Sequence, residues 1–211
     1  YQTALRSITF SSTSDDPTAN TTATSRTLHW TVTDANSDAA GTQSSADKTS
    51  TLTVIPAQDS PLMTAGGTLN YTENAAAAVI DATVAVLSDA DDTQMAGATV
   101  RIGSVVSGDV LDFTAQHGIT GSYDGGTGLL TLSGVTSLAD YQDVLRSVTY
   151  RSTADDPTVN HTRTSRTVTW QVTDANSDSA GAATSTAVTS TITLTPINDD
   201  FTDADETVTT P

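Results

Sequence analysis

The feature that most constrains this chain is a duplication. Residues 1–59, beginning YQTALRSITFSSTSDDPTAN, return without a gap as residues 141–199, beginning YQDVLRSVTYRSTADDPTVN, with about 35 of roughly 59 positions identical. Self-similarity of that strength means repeated structural units. An offset of 140 residues is too long for a solenoid turn and suits a whole domain. The 211-residue chain is therefore expected to hold the C-terminal half of a first repeat (1–59), a complete second repeat (60–199) and a linker entering a third (200–211). Residues 1–59 lack the half that would cover their apolar faces, so upstream chain or another copy is expected to complete them. A half domain alone should not fold stably. Tyr1 is not a start methionine, which fits a piece of a longer polypeptide.

Local patterns read as strands. Val168, Trp170 and Val172 alternate with Thr and Gln over 167–173, a period of two with one buried face, and Leu28, Trp30 and Val32 repeat it. Ile192 and Leu194 alternate with threonines, as do Ala98, Val100 and Ile102 with Thr99 and Arg101. Asp124-Gly125-Gly126 offers turn residues tolerant of positive φ for a hairpin over 119–132. One short helix follows, with Ser137 as N-cap, Asp140 three residues on, and Leu138, Tyr141, Val144 and Leu145 at helical spacing. Tyr1 falls inside the equivalent helix of the first copy. Short strands punctuated by Gly, Asp and Asn predict an all-β fold of antiparallel β-sandwich repeats, each with one short helix. Trp30 and Trp170 are expected to plug the core of their sandwiches.

Composition narrows the function. Eight Lys and Arg against 25 Asp and Glu give a net charge of −17, which excludes the basic stripe that nucleic acid requires and disfavours an anionic membrane surface. No apolar run reaches the roughly 18 residues of a membrane span, and no signal peptide is visible. Without cysteine there is no disulfide framework and no thiolate metal site. Charged residues make up only 16%, while Thr supplies about a fifth of the chain. Polarity thus rests on hydroxyls and carboxylates, an acidic, secreted-looking pattern suited to the wet face of sheets.

The acids cluster at strand ends and junctions: Asp15-Asp16, Asp34 with Asn36 and Asp38, Asp59, Glu73, Asp89 with Asp91 and Asp92, Asp155-Asp156, Asp174 with Asn176 and Asp178, and Asn198-Asp199-Asp200. Hard oxygen donors without nearby His or Cys suit Ca2+ rather than zinc or copper. Asp174 to Asp178 has the alternate spacing of an EF-hand loop. The late bidentate Glu is missing and Gly181 comes two residues late, so a true EF-hand is rejected. A polar turn capped by Asx hydrogen bonds is the competing reading, and surface acids that only give solubility are another.

The motifs TENAAAAVID from Thr72, LSDADD from Leu87, ITGSYDGGTGLLTLSG from Ile119, LADYQDVLRSVTY from Leu138 and PIND from Pro196 occur in that order. Together they resemble the tandem cadherin/Ig-like repeats of giant secreted surface adhesins of bacteria, the RTX adhesins. The resemblance implies calcium-clamped junctions between sandwiches. By motif, the junction after Asp59 would gather Asp15, Asp16, Asp59, Asp89, Asp91 and Asp174. The far pole of the full repeat would gather Glu73, Asp155, Asp156, Asn198 and Asp199. Gln58 stands where the second copy has Asn198, a departure that points to weaker binding at the first linker.

These readings converge on a non-enzymatic spacer of an extracellular filament or adhesin at a bacterial cell surface, stiffened by calcium. Its partners are neighbouring repeats of the same or an identical chain, with a cell-surface ligand engaged elsewhere in the parent protein. Alternatives are a filament subunit completed by a neighbouring chain, as in strand complementation, and a calcium-dependent glycan or peptide module. Catalytic motifs are missing: there is no G-x-S-x-G elbow, the adjacent acids of Asp15-Asp16 and Asp155-Asp156 are poorly placed as a facing glycosidase pair, and Gly125-Gly126-Thr127-Gly128 lacks the Lys of a phosphate loop.

Overall fold

A computed structural model describes residues 1–198; Asp199 and the expected linker 200–211 lie outside the described residues. The first stretch carries a one-turn helix α1 (Gln2–Leu5) and a hairpin of β1 (Ser25–Trp30) and β2 (Lys48–Thr53). Then follow β3 (Leu62–Thr64), β4 (Thr68–Thr72), β5 (Ala78–Val79), β6 (Ala85–Ser88), β7 (Gln94–Ile102), β8 (Asp109–Asp112), β9 (Thr120–Asp124) and β10 (Leu129–Ser137). Helix α2 (Leu138–Arg146) leads into β11 (Thr149–Ser152), β12 (Ser165–Asp174) and β13 (Val188–Thr195).

The fold is an all-β sandwich. A six-stranded sheet, β4-β13-β12-β7-β10-β9, faces a three-stranded sheet, β5-β11-β8, and the short pair β3-β6. Strict alternation on β12 buries Val168, Trp170 and Val172 against β7, whose Val100 lies opposite Trp170. Every hydrophobic side chain of the buried core comes from the stretch between Met63 and Leu194. Tyr71 and Tyr150 meet edge to face at 5.0 Å inside it. One pairing departs from the antiparallel expectation: β4 runs parallel to β13, with Leu69 beside Ile192.

Helix α2 forms where the capping pattern places it. The Ser137 hydroxyl accepts from the Asp140 amide, and Tyr141, Val144 and Leu145 turn into the core. The β9–β10 turn forms too, but its chemistry differs from expectation. Asp124 accepts from the Gly126 amide and the Thr127 hydroxyl, and positive φ falls at Gly128 (69°) rather than Gly125 or Gly126. A Cβ on Gly128 would also stand 2.9 Å from the Ile102 carbonyl oxygen.

Hairpin β1–β2 copies β12–β13 in register: Trp30 lies opposite Lys48 as Trp170 lies opposite Val188. Even the indole bond recurs, from Trp30 Nε1 to Ser50 Oγ at 3.0 Å and from Trp170 Nε1 to Ser190 Oγ at 2.9 Å. Trp30, however, is only half-buried. It lies on the face expected to lack its cover: no strand equivalent to β7 stands beside β1 among the described residues.

Candidate metal centre

The acids that matter sit where β6, β7 and β12 end. Segment 89–92 links β6 to β7, and Asp174 closes the buried alternation of β12, beside a register shift against β7 between Thr173 and Asp174. The linker at Gln58 and Asp59 crosses this end of the sandwich. Gln58 Nε2 donates to Asp174 Oδ2 at 2.8 Å, and the Asp59 amide donates to Asp91 Oδ2 at 2.9 Å. Asp89, Asp91 and Asp92 place carboxylate oxygens within 4.8 Å of one another. The amides of Asp91 and Asp92 both point at Asp89 Oδ1, at 3.3 Å each.

Backbone donors hold one side of several carboxylates and leave the other bare. Asp92 Oδ1 accepts from the Ser177 amide at 2.6 Å and from the Ser177 hydroxyl. Asp178 Oδ1 accepts from Ala180, and Asp174 from the amides of Asn176 and Ala183. The loop 174–181 is thus the Asx-capped turn that one reading foresaw. Yet Gln58 Oε1, Asp89 Oδ2, Asp91 Oδ1, Asp92 Oδ2 and Asp178 Oδ2 are all buried with no hydrogen-bond partner. Buried polar atoms are nearly always satisfied, so orphans concentrated in one region call for a ligand.

The electrostatics agree. No salt bridge among the described residues reaches these carboxylates. Burial, then the hydrogen bond and charge of Asp91, push the Asp89 carboxyl up to about 7. Asp59 is raised by burial and by the charges of Asp15, Asp91 and Asp178. Asp174 is raised by burial, partly offset by its backbone donors, with Asp92 and Asp91 adding to the rise. Unpaired buried charge costs several kcal/mol per group, on the order that a divalent cation can reverse.

Of the six residues expected at this junction, the structure brings Asp59, Asp89, Asp91 and Asp174 into one neighbourhood, while Asp15 is exposed and reaches it only through the effect of its charge on Asp59. Asp16 is engaged elsewhere: Oδ1 accepts from the Thr18 amide and hydroxyl and Oδ2 from the Asn20 amide, which together hold its carboxyl below the usual range. Asp92, Asp178 and Gln58 join the site without having been assigned to it. Asp92 and Asp178 belong to runs whose spacing already stood out. Gln58 shows only as a departure from Asn198, and nothing in the sequence places its oxygen in the cluster.

At the far pole, Glu73, Asp155 and Asp156 line a cleft of about 180 Å³ with Asn160, His161 and Ile197. Glu73 is buried; Oε2 accepts from the Ile197 amide at 2.8 Å and Oε1 has no partner. Asp156 repeats the turn of Asp16, bonding Thr158 and Asn160. Asn198 is exposed and does not line the cleft, and Asp199 lies outside the described residues.

The chain matches no family model. It is similar to part of halomucin. Over 114 residues it is 37% identical to that protein of Haloquadratum walsbyi (strain DSM 16790 / HBSQ001), covering 51% of this chain and 1% of halomucin. The matched stretch is thus a small part of a very long protein. This likeness does not single out the RTX adhesins. No helix among the described residues is long and apolar enough to cross a membrane.

Proposed function

We propose that this chain is a structural spacer of an extracellular surface protein, whose successive β-sandwiches are locked in line by calcium at their junctions. The observation that carries this reading is the set of buried, unpartnered oxygens on Gln58, Asp89, Asp91, Asp92 and Asp178, contributed by a linker and by the loops it crosses. All are hard donors, with no His or Cys among them, and they fit Ca2+ by chemistry. Magnesium favours a tighter octahedron and keeps its waters.

Calcium supplies the positive charge that the chain does not. Gln58 and Asp59 tether the linker to Asp174 and Asp91, and a shared cation makes that tether depend on the metal rather than on two hydrogen bonds. Binding only the aligned, folded state stabilises it by about 2.7 kcal/mol when the ion exceeds Kd a hundredfold. Extracellular modules commonly work with Kd of roughly 0.1 to 1 mM. The likeness to halomucin supports the surface setting; the motif resemblance alone supports the finer assignment to adhesins of bacterial cells. The role is mechanical, and the chain performs no catalysis.

Small-angle scattering in calcium and in EDTA tests the reading. Calcium is expected to narrow the distribution of dimensions by fixing residues 1–59 against the following sandwich. Identical profiles in the two conditions would overturn it.

A further inference from the structure

Residues 1–59 present the inner face of a sandwich to solvent, and the second repeat shows what such a face binds. Tyr1 is 87% exposed, Ile8 59% and Phe10 49%, whereas their counterparts Tyr141, Val148 and Tyr150 are each 0% exposed. Trp30 is half-buried and Trp170 fully buried. Apolar side chains grouped on one face at this exposure mark an interaction surface.

A polar signature accompanies the apolar one. Arg166 donates to the carbonyls of Arg163 and Ser165 through Nη1 and to Pro157 through Nη2, while Nε meets Asp109 Oδ2 at 2.7 Å. Arg26 makes the matching carbonyl bonds, to Ala23, Ser25 and Pro17. No carboxylate reaches it among the described residues. The surface therefore has a vacant strand edge on β1, an apolar face, and a guanidinium already oriented for one carboxylate.

We infer that residues 1–59 form an acceptor half-sandwich for a donor segment of the residue 60–140 type, which adds a β7-like strand beside β1 and sets an Asp109-like carboxylate on Arg26. Main-chain pairing supplies affinity and the side-chain pockets supply register. A second copy of this chain does not meet the requirement. Residues 60–140 of each copy already pair with that copy's own β12 and β13, through β7 and β4, so lending them to a neighbour strips those strands. The inference is independent of calcium.

The test is a polypeptide in which residues 60–140 are placed directly ahead of Tyr1 of the full chain, as they already precede Tyr141. With Trp170→Phe, Trp30 is the sole tryptophan; its emission should shift to the blue and its quenching by acrylamide should fall several-fold relative to the 211-residue chain. Hydrogen exchange without that substitution should slow by orders of magnitude at β1 amides. Changing Asp109→Asn in the added segment alone should lower the melting of the new module and spare the other. Trp30 remaining equally quenchable, with β1 amides unprotected, would overturn the inference. So would protection of Trp30 in the 211-residue chain that grows with concentration alongside a dimer mass, because a second copy would then be the occupant. Running both arms in EDTA and in calcium keeps this outcome separate from the metal reading.

Discussion

Gln58 Nε2 lies 2.8 Å from Asp174 Oδ2, joining two side chains 116 residues apart in the sequence. One comes from the linker and the other from the buried end of β12, so the bond couples the path of the chain between modules to the six-stranded sheet. The remaining amide oxygen of Gln58 has no partner and lies in the carboxylate neighbourhood. Gln58→Ala should therefore weaken calcium binding several-fold. In EDTA it should cost no more than about 1 kcal/mol, the usual net value of one hydrogen bond. Titration calorimetry with parallel denaturant melts checks both; unchanged calcium affinity would remove Gln58 from the site.

The pH profile without metal follows from opposed shifts. Asp89, at about 7, holds its proton more tightly in the fold than when unfolded, and Asp59 and Asp174 are raised in the same direction. The Asp89 contribution is full below the unfolded value near 3.8 and is lost as pH rises toward 7, and those of Asp59 and Asp174 fade in the same direction. Asp81 is lowered: although burial opposes it, donors from Ser190, Thr83, Gly66 and Gly67 win, and its contribution is lost as pH falls below the ordinary carboxylate range. In EDTA the melting temperature should peak near about pH 4–5 and decline toward pH 8. Asp89→Asn should flatten that decline and so should calcium. A melting temperature that rises from pH 5 to pH 8 in EDTA would contradict the assignment.

Asp109 and Arg166 form a fully buried ion pair at 2.7 Å, and Tyr150 and the Val106 amide complete the carboxylate's partners at 2.6 and 2.8 Å. Asp109→Ala leaves the guanidinium without its counter-ion and should cost about 3–5 kcal/mol. For a protein of this size that is a fall in melting temperature on the order of 10 °C. The double change Asp109→Leu with Arg166→Met should recover much of the loss, and equal losses for the single and double changes would contradict this.

Gly67 sits against the Asp81 carboxylate, and a Cβ there would stand 2.5 Å from Cγ. Asp81 in turn accepts from the amides of Gly66, Gly67 and Thr83 and the hydroxyls of Thr83 and Ser190, and Ser190 also holds Trp170. Gly67→Ala must displace this hub and should destabilise by roughly 1–3 kcal/mol, while Gly66→Ala, which meets nothing within 4 Å, should not. Equal effects from the two would refute the packing argument.

Much of the sandwich was legible because its signals are local. Alternation on β12 and β7 and the Ser137 cap each depend on neighbours in sequence. Parallel pairing of β4 with β13 was not legible, since strand direction is decided by which elements meet across the sandwich. Trp30 shows the limit of a local pattern: its alternation reports the face it needs, and the absence of a covering half from residues 1–59 was legible only from the repeat. At the candidate metal centre, residue type and clustering marked the runs 89–92 and 174–178, and only the motif resemblance picked Asp89, Asp91 and Asp174 out of them. Asp92 and Asp178 escaped because adjacent acids in one run look interchangeable until backbone donors occupy one oxygen and leave the other bare. Asp16 and Asp156 look like ligands in sequence, yet each directs both oxygens into its own turn.

The most direct measurement is the melting temperature of the full chain and of Asp91→Asn, each in EDTA and in millimolar calcium. Calcium should raise the melting temperature of the unmodified chain by about 5–10 °C, corresponding to roughly 2–3 kcal/mol. Asp91→Asn should start at an equal or higher temperature in EDTA, relieved of like-charge repulsion, and gain little from the ion. A melting temperature of the unmodified chain that calcium leaves unchanged would contradict the account.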